Sequence, residues 1–230
     1  MKAPDRVIIR IMPKRLTPIA TLAVAILCCQ QLTAKDTFVM PRAADAKTYP
    51  AHDANGQEKV AVAADPYDRA SKTQPVFRIK YREEDLLPVM LVITNDSGQP
   101  VALTDMQVEL VTARRVRLSP ATEDDIYRRI AHQPMKGDQP SASPLPFPRK
   151  KVHASVRKEE AEEVQDSRFA AKAVEAHATR AGFLFFDVEG IDNPLAGAHL
   201  YISGVRNGKG EELIFFDIPL DSYLQQPPAR

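Results

Sequence analysis

The sequence predicts a mainly β fold, an antiparallel β-sandwich of short strands, and two observations carry this prediction. Residues 87–111 and 182–220 are apolar-rich, dense in β-branched and aromatic residues, and interrupted by turn residues. Turn signals recur every ~8–12 residues, which is the spacing typical of a two-sheet sandwich. We therefore expect seven or eight short strands, separated in sequence by one long insertion.

Residues 1–34 have the pattern of a secretory signal peptide. Basic residues precede an apolar run over Leu16–Cys29, and a small residue, Ala34, follows at the expected cleavage position. The run of 14 residues is shorter than the ~20 residues that span a bilayer. We expect cleavage after Ala34 and a periplasmic or secreted chain. An uncleaved membrane anchor and a true start at Met12 are the alternatives.

Both cysteines of the chain, Cys28 and Cys29, lie in this first segment, so a lipid anchor is a further alternative. A chain beginning at Lys35 contains no cysteine and therefore no disulfide, thiol nucleophile or thiolate metal site. Its net charge is about −3, without the basic excess of nucleic-acid-binding proteins. We expect no nucleic-acid partner.

Residues 35–74 mix alanine, aspartate, lysine, proline and glycine without sustained periodicity. This composition is typical of a flexible spacer. The alternative is a first strand over Lys59–Ala63, which is short and weakly apolar. We predict the spacer, with the folded domain over residues 75–224 and a tail over residues 225–230.

Residues 76–82 alternate between apolar and basic side chains, which predicts a strand with one buried face. The apolar residues are Phe77, Ile79 and Tyr81, and the basic residues are Arg78, Lys80 and Arg82. The basic side chains could form a ligand-binding patch. A solvated face or a sheet edge protected by charge is the commoner arrangement.

The later strands follow from short apolar runs. Leu87–Thr94 is apolar on both faces, as in a central strand covered on both sides, and ends in the NDSGQP turn. The glycine-rich segment Gly204–Glu212 lacks a phosphate-loop ending and predicts a hairpin loop. The other predicted strands are Val101–Leu103, Met106–Val111, Arg115–Leu118, Gly182–Val188, Ala198–Ser203 and Leu213–Ile218.

Two near-repeats, GFLFFDV and ELIFFDI, suggest similar positions for two of these strands in the sandwich. The aliphatic strand, the Asn95–Gly98 turn and the following Pro100, Val101 and Leu103 resemble the immunoglobulin-like, telokin-like domains of bacterial exported proteins. This resemblance implies a fold and no particular activity. The absence of tryptophan excludes the antibody-type core of a tryptophan packed on a disulfide.

Residues 119–181 form an insertion of 63 residues, far longer than a hairpin loop. Thr122 and Asp125 predict a capping box for a short helix containing Ile126 and Ile130. Prolines between residues 134 and 148 favour an extended strap or a groove-binding ligand. The Ala-, Glu-, Lys- and Arg-rich stretch Ser155–Thr179 predicts a long helix, packed along the sandwich or offered to a partner.

The sequence contains no recognisable catalytic motif, and we predict no catalytic, cofactor-binding or metal-binding residue. The five histidines, at positions 52, 132, 153, 177 and 199, lack the spacing of metal ligands. Turn carboxylates could hold calcium, although they lack the spacing of a calcium loop; they are Asp96, Asp187, Glu189, Asp192 and Asp217.

We therefore expect an exported, non-catalytic binding or scaffolding module of the bacterial cell envelope, whose partner is a protein or another envelope component. The surfaces available for binding are the insertion, the Gly204–Glu212 loop and the turn after Leu87–Thr94. One alternative is a secreted hydrolase that gathers two or more of Asp96, Asp187, Asp192 and Asp217 in a concave pocket. The other is an envelope assembly subunit or chaperone with an exposed groove or open sheet edge.

Overall fold

The computed structural model describes residues 38–131, 156–213 and 215–225. In this part of the chain the α-helices are α1 (Ala70–Thr73), α2 (Glu123–Ile130), α3 (Lys158–Ser167) and α4 (Asp221–Leu224). The strands are β1 (His52–Asn55), β2 (Val60–Pro66), β3 (Leu86–Asn95), β4 (Val101–Ala102), β5 (Gln107–Val111), β6 (Arg117–Leu118), β7 (Ala173–Val174), β8 (Ala178–Asp187), β9 (His199–Ser203) and β10 (Phe216–Pro219).

The strands form two antiparallel four-stranded sheets and one small pair. The first sheet has the order β1-β2-β3-β8, the second has the order β10-β9-β5-β6, and β4 pairs with β7. In the first sheet, Leu91 of β3 lies between Ala64 of β2 and Gly182 of β8. All ten residues of β3 are buried, which confirms the prediction of a central strand covered on both faces.

Apolar residues from both sheets form one hydrophobic core. The first sheet contributes Val62, Val89, Leu91 and Ile93, and the second contributes Leu110, Leu200, Ile202 and Ile218. A shared core of this kind is compatible with a β-sandwich, because each sheet buries one face against the other. The prediction of a mainly β fold with antiparallel sheets is confirmed.

A second hydrophobic cluster covers the opposite face of the first sheet. The Phe77 ring lies 4.7 Å from that of Phe183 and 6.3 Å from that of Phe185, measured between ring centroids. Ile126 of α2 and Val164 of α3 are fully buried in the same cluster. The residues that the structure describes place no comparable layer over β9 of the second sheet, where the residues alternate between partly exposed and buried.

The prediction of a flexible spacer over residues 35–74 is wrong for the described part of that range. β2 pairs with β3 over seven residues, and Val60–Ala64 are buried. The alternating side chains of β2 face the two hydrophobic clusters in turn. The alternative, a first strand over Lys59–Ala63, is the one that the structure shows, since β2 is Val60–Pro66. The sequence signal was weak because the strand depends on distant partners rather than on strong local propensity.

The predicted strand over residues 76–82 is also wrong, although its alternation of burial is correct. Phe77, Ile79 and Tyr81 are buried while Arg78 and Lys80 are exposed. Within the described part of the chain no strand pairs with this segment, and Tyr81–Glu84 form a 3-10 helix instead. The apolar side chains of the segment pack in the second hydrophobic cluster. Their alternation therefore reflects burial in this cluster and not strand pairing.

The predicted long helix over Ser155–Thr179 is wrong beyond α3. The chain becomes extended at Arg168, and the backbone N–H of Phe169 donates to the carbonyl of Phe183 at 2.9 Å. Residues 178–181 begin β8 and pair with β3. Here strand pairing outweighs the intrinsic helix propensity of alanine, arginine and glutamate, which is a weak determinant when tertiary contacts compete.

The described parts of the insertion 119–181 contribute to the core rather than lying outside it. Ile126, Ile130, Val164 and Val174 are all buried. The capping-box prediction is confirmed: the Thr122 side chain accepts from the Asp125 N–H, and the Asp125 side chain accepts from the Thr122 N–H.

The near-repeats occupy different sheets, since GFLFFDV lies in β8 and ELIFFDI leads into β10. The remaining predicted strands are present, several of them shorter than expected. The signal segment and the proline-rich segment lie outside the described residues. Among the described helices, none is long and apolar enough to cross a membrane.

Candidate functional site

Two of the three surfaces singled out by sequence meet at one end of the sheets. The turn after β3 and the loop between β9 and β10 enclose a recess of about 230 Å³, hereafter the loop recess. Its lining residues are Glu58, Ser97, Gly98, Gln99, Val101, Asn207, Gly208 and Lys209. Both loops were predictable from the sequence, whereas their adjacency depends on the fold.

The buried side chain of Asn95 holds the turn side of the loop recess. Its Nδ2 donates to the carbonyl of Gln99 at 2.7 Å and to the carbonyls of Val174 and Glu175 at 3.1 Å each. Its Oδ1 accepts from the N–H of Ser97 at 3.0 Å and from its hydroxyl at 2.7 Å. Asparagine suits this position because it supplies a donor and an acceptor group to one tight turn.

A second asparagine, Asn207, holds the loop side. Its Oδ1 accepts from the N–H groups of Lys209 and Glu211, both at 3.0 Å. Its Nδ2 donates to the Glu211 carboxylate at 3.0 Å. These bonds close a compact turn, in which Gly210 adopts a positive φ of 83° that glycine takes without steric penalty.

The loop is anchored where it approaches the turn. Arg206 and Ala102 exchange backbone hydrogen bonds of 3.0 and 2.8 Å, and the Arg206 Nε donates to Asp105 at 3.0 Å. A Cβ built on Gly208 would lie 2.3 Å from the Gln99 side-chain oxygen. Glycine at position 208 therefore allows the loop and the turn to come this close.

The chemistry of the loop recess is polar and mixed in charge. Glu58 and Lys209 provide one charge of each sign, while Ser97, Gln99 and Asn207 provide hydroxyl and amide groups. Such a surface can exchange hydrogen bonds with a polar partner. Glu58 belongs to the turn of the β1–β2 hairpin, which was not predicted from the sequence. The Asn55-Gly56 pair could have indicated this hairpin, since the dipeptide is typical of hairpin turns.

The carboxylates considered for a hydrolase or calcium site do not gather in one place. Asp96 pairs with Lys47 at 2.5 Å, and Asp217 with His199 at 2.7 Å. Asp187 and Glu189 both pair with Arg129. Asp192 is exposed. Within the described residues, no cluster of three or more histidine, cysteine, aspartate or glutamate side chains could hold a metal ion.

Of the histidines, His132 and His153 lie outside the described residues. The Nδ1 of His52 lies 2.6 Å from the carbonyl oxygen of Tyr49. His199 stacks on Tyr201 with ring centroids 5.9 Å apart, and the Tyr201 ring lies 6.4 Å from that of Phe215. This row of rings lies on the second sheet and was not predicted from the sequence.

The three basic residues of the 76–82 segment line a separate pocket, together with residues of α1 and the 3-10 helix. Their side chains do not form the regular wet face of a strand, because that segment is not a strand.

Comparison with known proteins gives no match: no protein-family model fits the chain, and no curated protein or solved structure is significantly similar to it.

Proposed function

We propose that this chain is an exported, non-catalytic binding or scaffolding module of the bacterial cell envelope, built on an immunoglobulin-like sandwich. The loop recess is its partner-binding surface, and the partner is a protein or another envelope component. One observation carries the proposal: two loops distant in sequence are fixed side by side, each by the hydrogen bonds of an internal asparagine.

Fixed loops on a rigid sheet core are a common way to display a binding surface. Asn95 is fully buried, and its bonds hold the turn in one conformation before any partner arrives. A surface ordered in advance loses less conformational entropy on association, so more of the contact energy appears as affinity.

The two alternative functions have less support. A hydrolase would need two carboxylates at a fixed separation in a cleft, whereas none of Asp96, Asp187, Asp192 and Asp217 lines a described pocket. An assembly subunit or chaperone would need an open sheet edge. Of the four outer strands, β8 is bonded on its free edge by the N–H groups of Ala121 and Phe169, which leaves less of that edge open to another chain.

Capture of partners from envelope extracts tests the proposal, using the purified chain as bait. Gly208→Val puts a side chain where Gln99 lies and so forces the loop and the turn apart, and Lys209→Glu reverses the charge at the rim of the loop recess. We expect both variants to lose at least tenfold of the partner retained by the unmodified chain. The matched control is Lys158→Glu, since Lys158 lies on α3 with 83% of its side chain exposed, and it should retain the partner.

A partner retained equally by all four proteins would contradict the assignment of the loop recess. Deletion of residues 119–181 is unsuitable as a test because it would remove the buried side chains of Ile126 and Val164. A deletion limited to residues 133–154 tests the remaining predicted binding surface without touching these core residues.

A further inference from the structure

A pocket of about 440 Å³ lies between α1 and the 3-10 helix Tyr81–Glu84, away from the residues that line the loop recess. Phe77 and Ile79 give it apolar walls, and three basic side chains give it positive charge. The lining residues are Asp68, Ala70, Thr73, Gln74, Phe77, Arg78, Ile79, Lys80, Arg82 and Glu83.

The Arg82 guanidinium is incompletely satisfied. Among the described residues, its buried Nη1 has no hydrogen-bond partner, and no carboxylate there pairs with Arg82. A buried charged donor without a partner is unfavourable, so such groups are rare in folded proteins unless a ligand or water completes them. Arg82 also lines the pocket, so an acceptor bound there would meet a guanidinium that the described residues leave incompletely paired.

The acidic side chains near the pocket have partners of their own. Asp68 accepts a hydrogen bond of 2.6 Å from the Tyr223 hydroxyl. Glu83 pairs with Lys80 at 3.0 Å, with both side chains about two-thirds exposed. Glu163 accepts from the backbone N–H groups of Arg78 and Ile79 at 2.7 and 3.2 Å. An exposed ion pair such as Lys80–Glu83 is weak, so Lys80 can turn to an incoming anion.

We propose that this pocket binds a small organic oxyanion, a carboxylate or a phosphate ester that carries an apolar group. Arg82 holds the oxyanion, because the guanidinium presents several N–H donors in a planar fork that matches carboxylate and phosphate oxygens. Lys80 adds a second positive charge, and the apolar group of the ligand lies against Phe77 and Ile79. This site is independent of the loop recess.

Titration of the full chain with benzoate and with phenyl phosphate, followed by NMR or calorimetry, tests the proposal. We expect saturable binding of at least one probe, weakened tenfold or more by Arg82→Gln and less by Arg82→Lys. The matched control is Arg117→Gln on β6, an exposed arginine paired with Glu109 at 2.8 Å, which should leave binding unchanged.

Binding to vesicles of phosphatidylglycerol is measured as a third experiment, because a lipid headgroup supplies the same phosphate chemistry. Binding of vesicles that Arg82→Gln abolishes would assign the oxyanion to a membrane lipid, and binding of the soluble probes would assign it to a free ligand. Lys80→Gln, at an exposed position, provides a second variant if Arg82→Gln does not fold, and it should weaken binding several-fold. Absence of saturable binding in every arm, or equal binding by all variants, would overturn the proposal.

Discussion

Replacement of Asn95 should destabilise the protein strongly although it removes only one small polar side chain. Asn95 is 0% exposed, and its amide group connects the end of β3 to the turn and to the backbone beside β7. The two Nδ2 protons are shared among three carbonyls, and Oδ1 accepts two further bonds. Counted by protons this is four hydrogen bonds, each contributing about 1 kcal/mol net. Asn95→Ala should therefore lower the free energy of unfolding by about 3–4 kcal/mol.

Urea denaturation monitored by circular dichroism measures this change, with an expected midpoint shift of about 1–2 M. Gln107→Ala is the control, since Gln107 is an exposed amide on β5, and it should change stability by less than about 0.5 kcal/mol. A decrease below about 1 kcal/mol for Asn95→Ala would refute the role assigned to this side chain.

Asn95→Asp tests the same contacts through the pH dependence of stability, because aspartate has nearly the same shape as asparagine. One carboxylate oxygen would replace Nδ2 and face backbone carbonyl oxygens, so burial and repulsion should raise the pKa of the new carboxyl in the folded state. A raised folded-state pKa makes the variant most stable, relative to the unmodified chain, at low pH and least stable above that pKa. Equal destabilisation at pH 4 and pH 7 would contradict this arrangement of donors and acceptors.

Three further predictions concern the core and the caps. Phe185→Ala should lower stability by about 3–5 kcal/mol, whereas Phe215→Ala, at the equivalent position of the other near-repeat, should change it by less than about 1 kcal/mol, because the exposed fractions are 1% and 58%. Burial raises the pKa of Glu163 above its ordinary value of 4.5. The stability of the unmodified chain relative to Glu163→Gln should thus be greatest below about pH 4.5 and fall as the pH rises through the raised pKa; a difference that stays constant with pH would contradict this. Thr122→Ala removes the bond from the Asp125 N–H and should lower stability by about 1 kcal/mol, measured by thermal unfolding.

The elements predictable from sequence are those with strong local signals. The continuous apolar run of β3 and the capping box at Thr122 appear in the structure where the sequence places them. The turn and the Gly204–Glu212 loop were also recognisable, because glycine, asparagine and serine favour turns for local reasons.

The elements that the sequence did not reveal depend on distant partners. The small residues of β2 form a strand because β3 lies beside them. The residues after α3 leave the helix because Phe169 bonds the edge of β8. The loop recess was hidden for the same reason, since Gly208 and Gln99 are distant in sequence and are brought together by the core.

Truncation at two positions tests most directly whether β1 and β2 belong to the core that positions the loop recess. We compare a chain that begins at Phe38 with one that begins at Pro75, using urea denaturation and near-ultraviolet circular dichroism. The chain from Phe38 should unfold cooperatively. The chain from Pro75 should show no cooperative transition, because it lacks Val60–Ala64, which are buried between the two hydrophobic clusters. Cooperative unfolding of both chains with the same free energy would contradict the account.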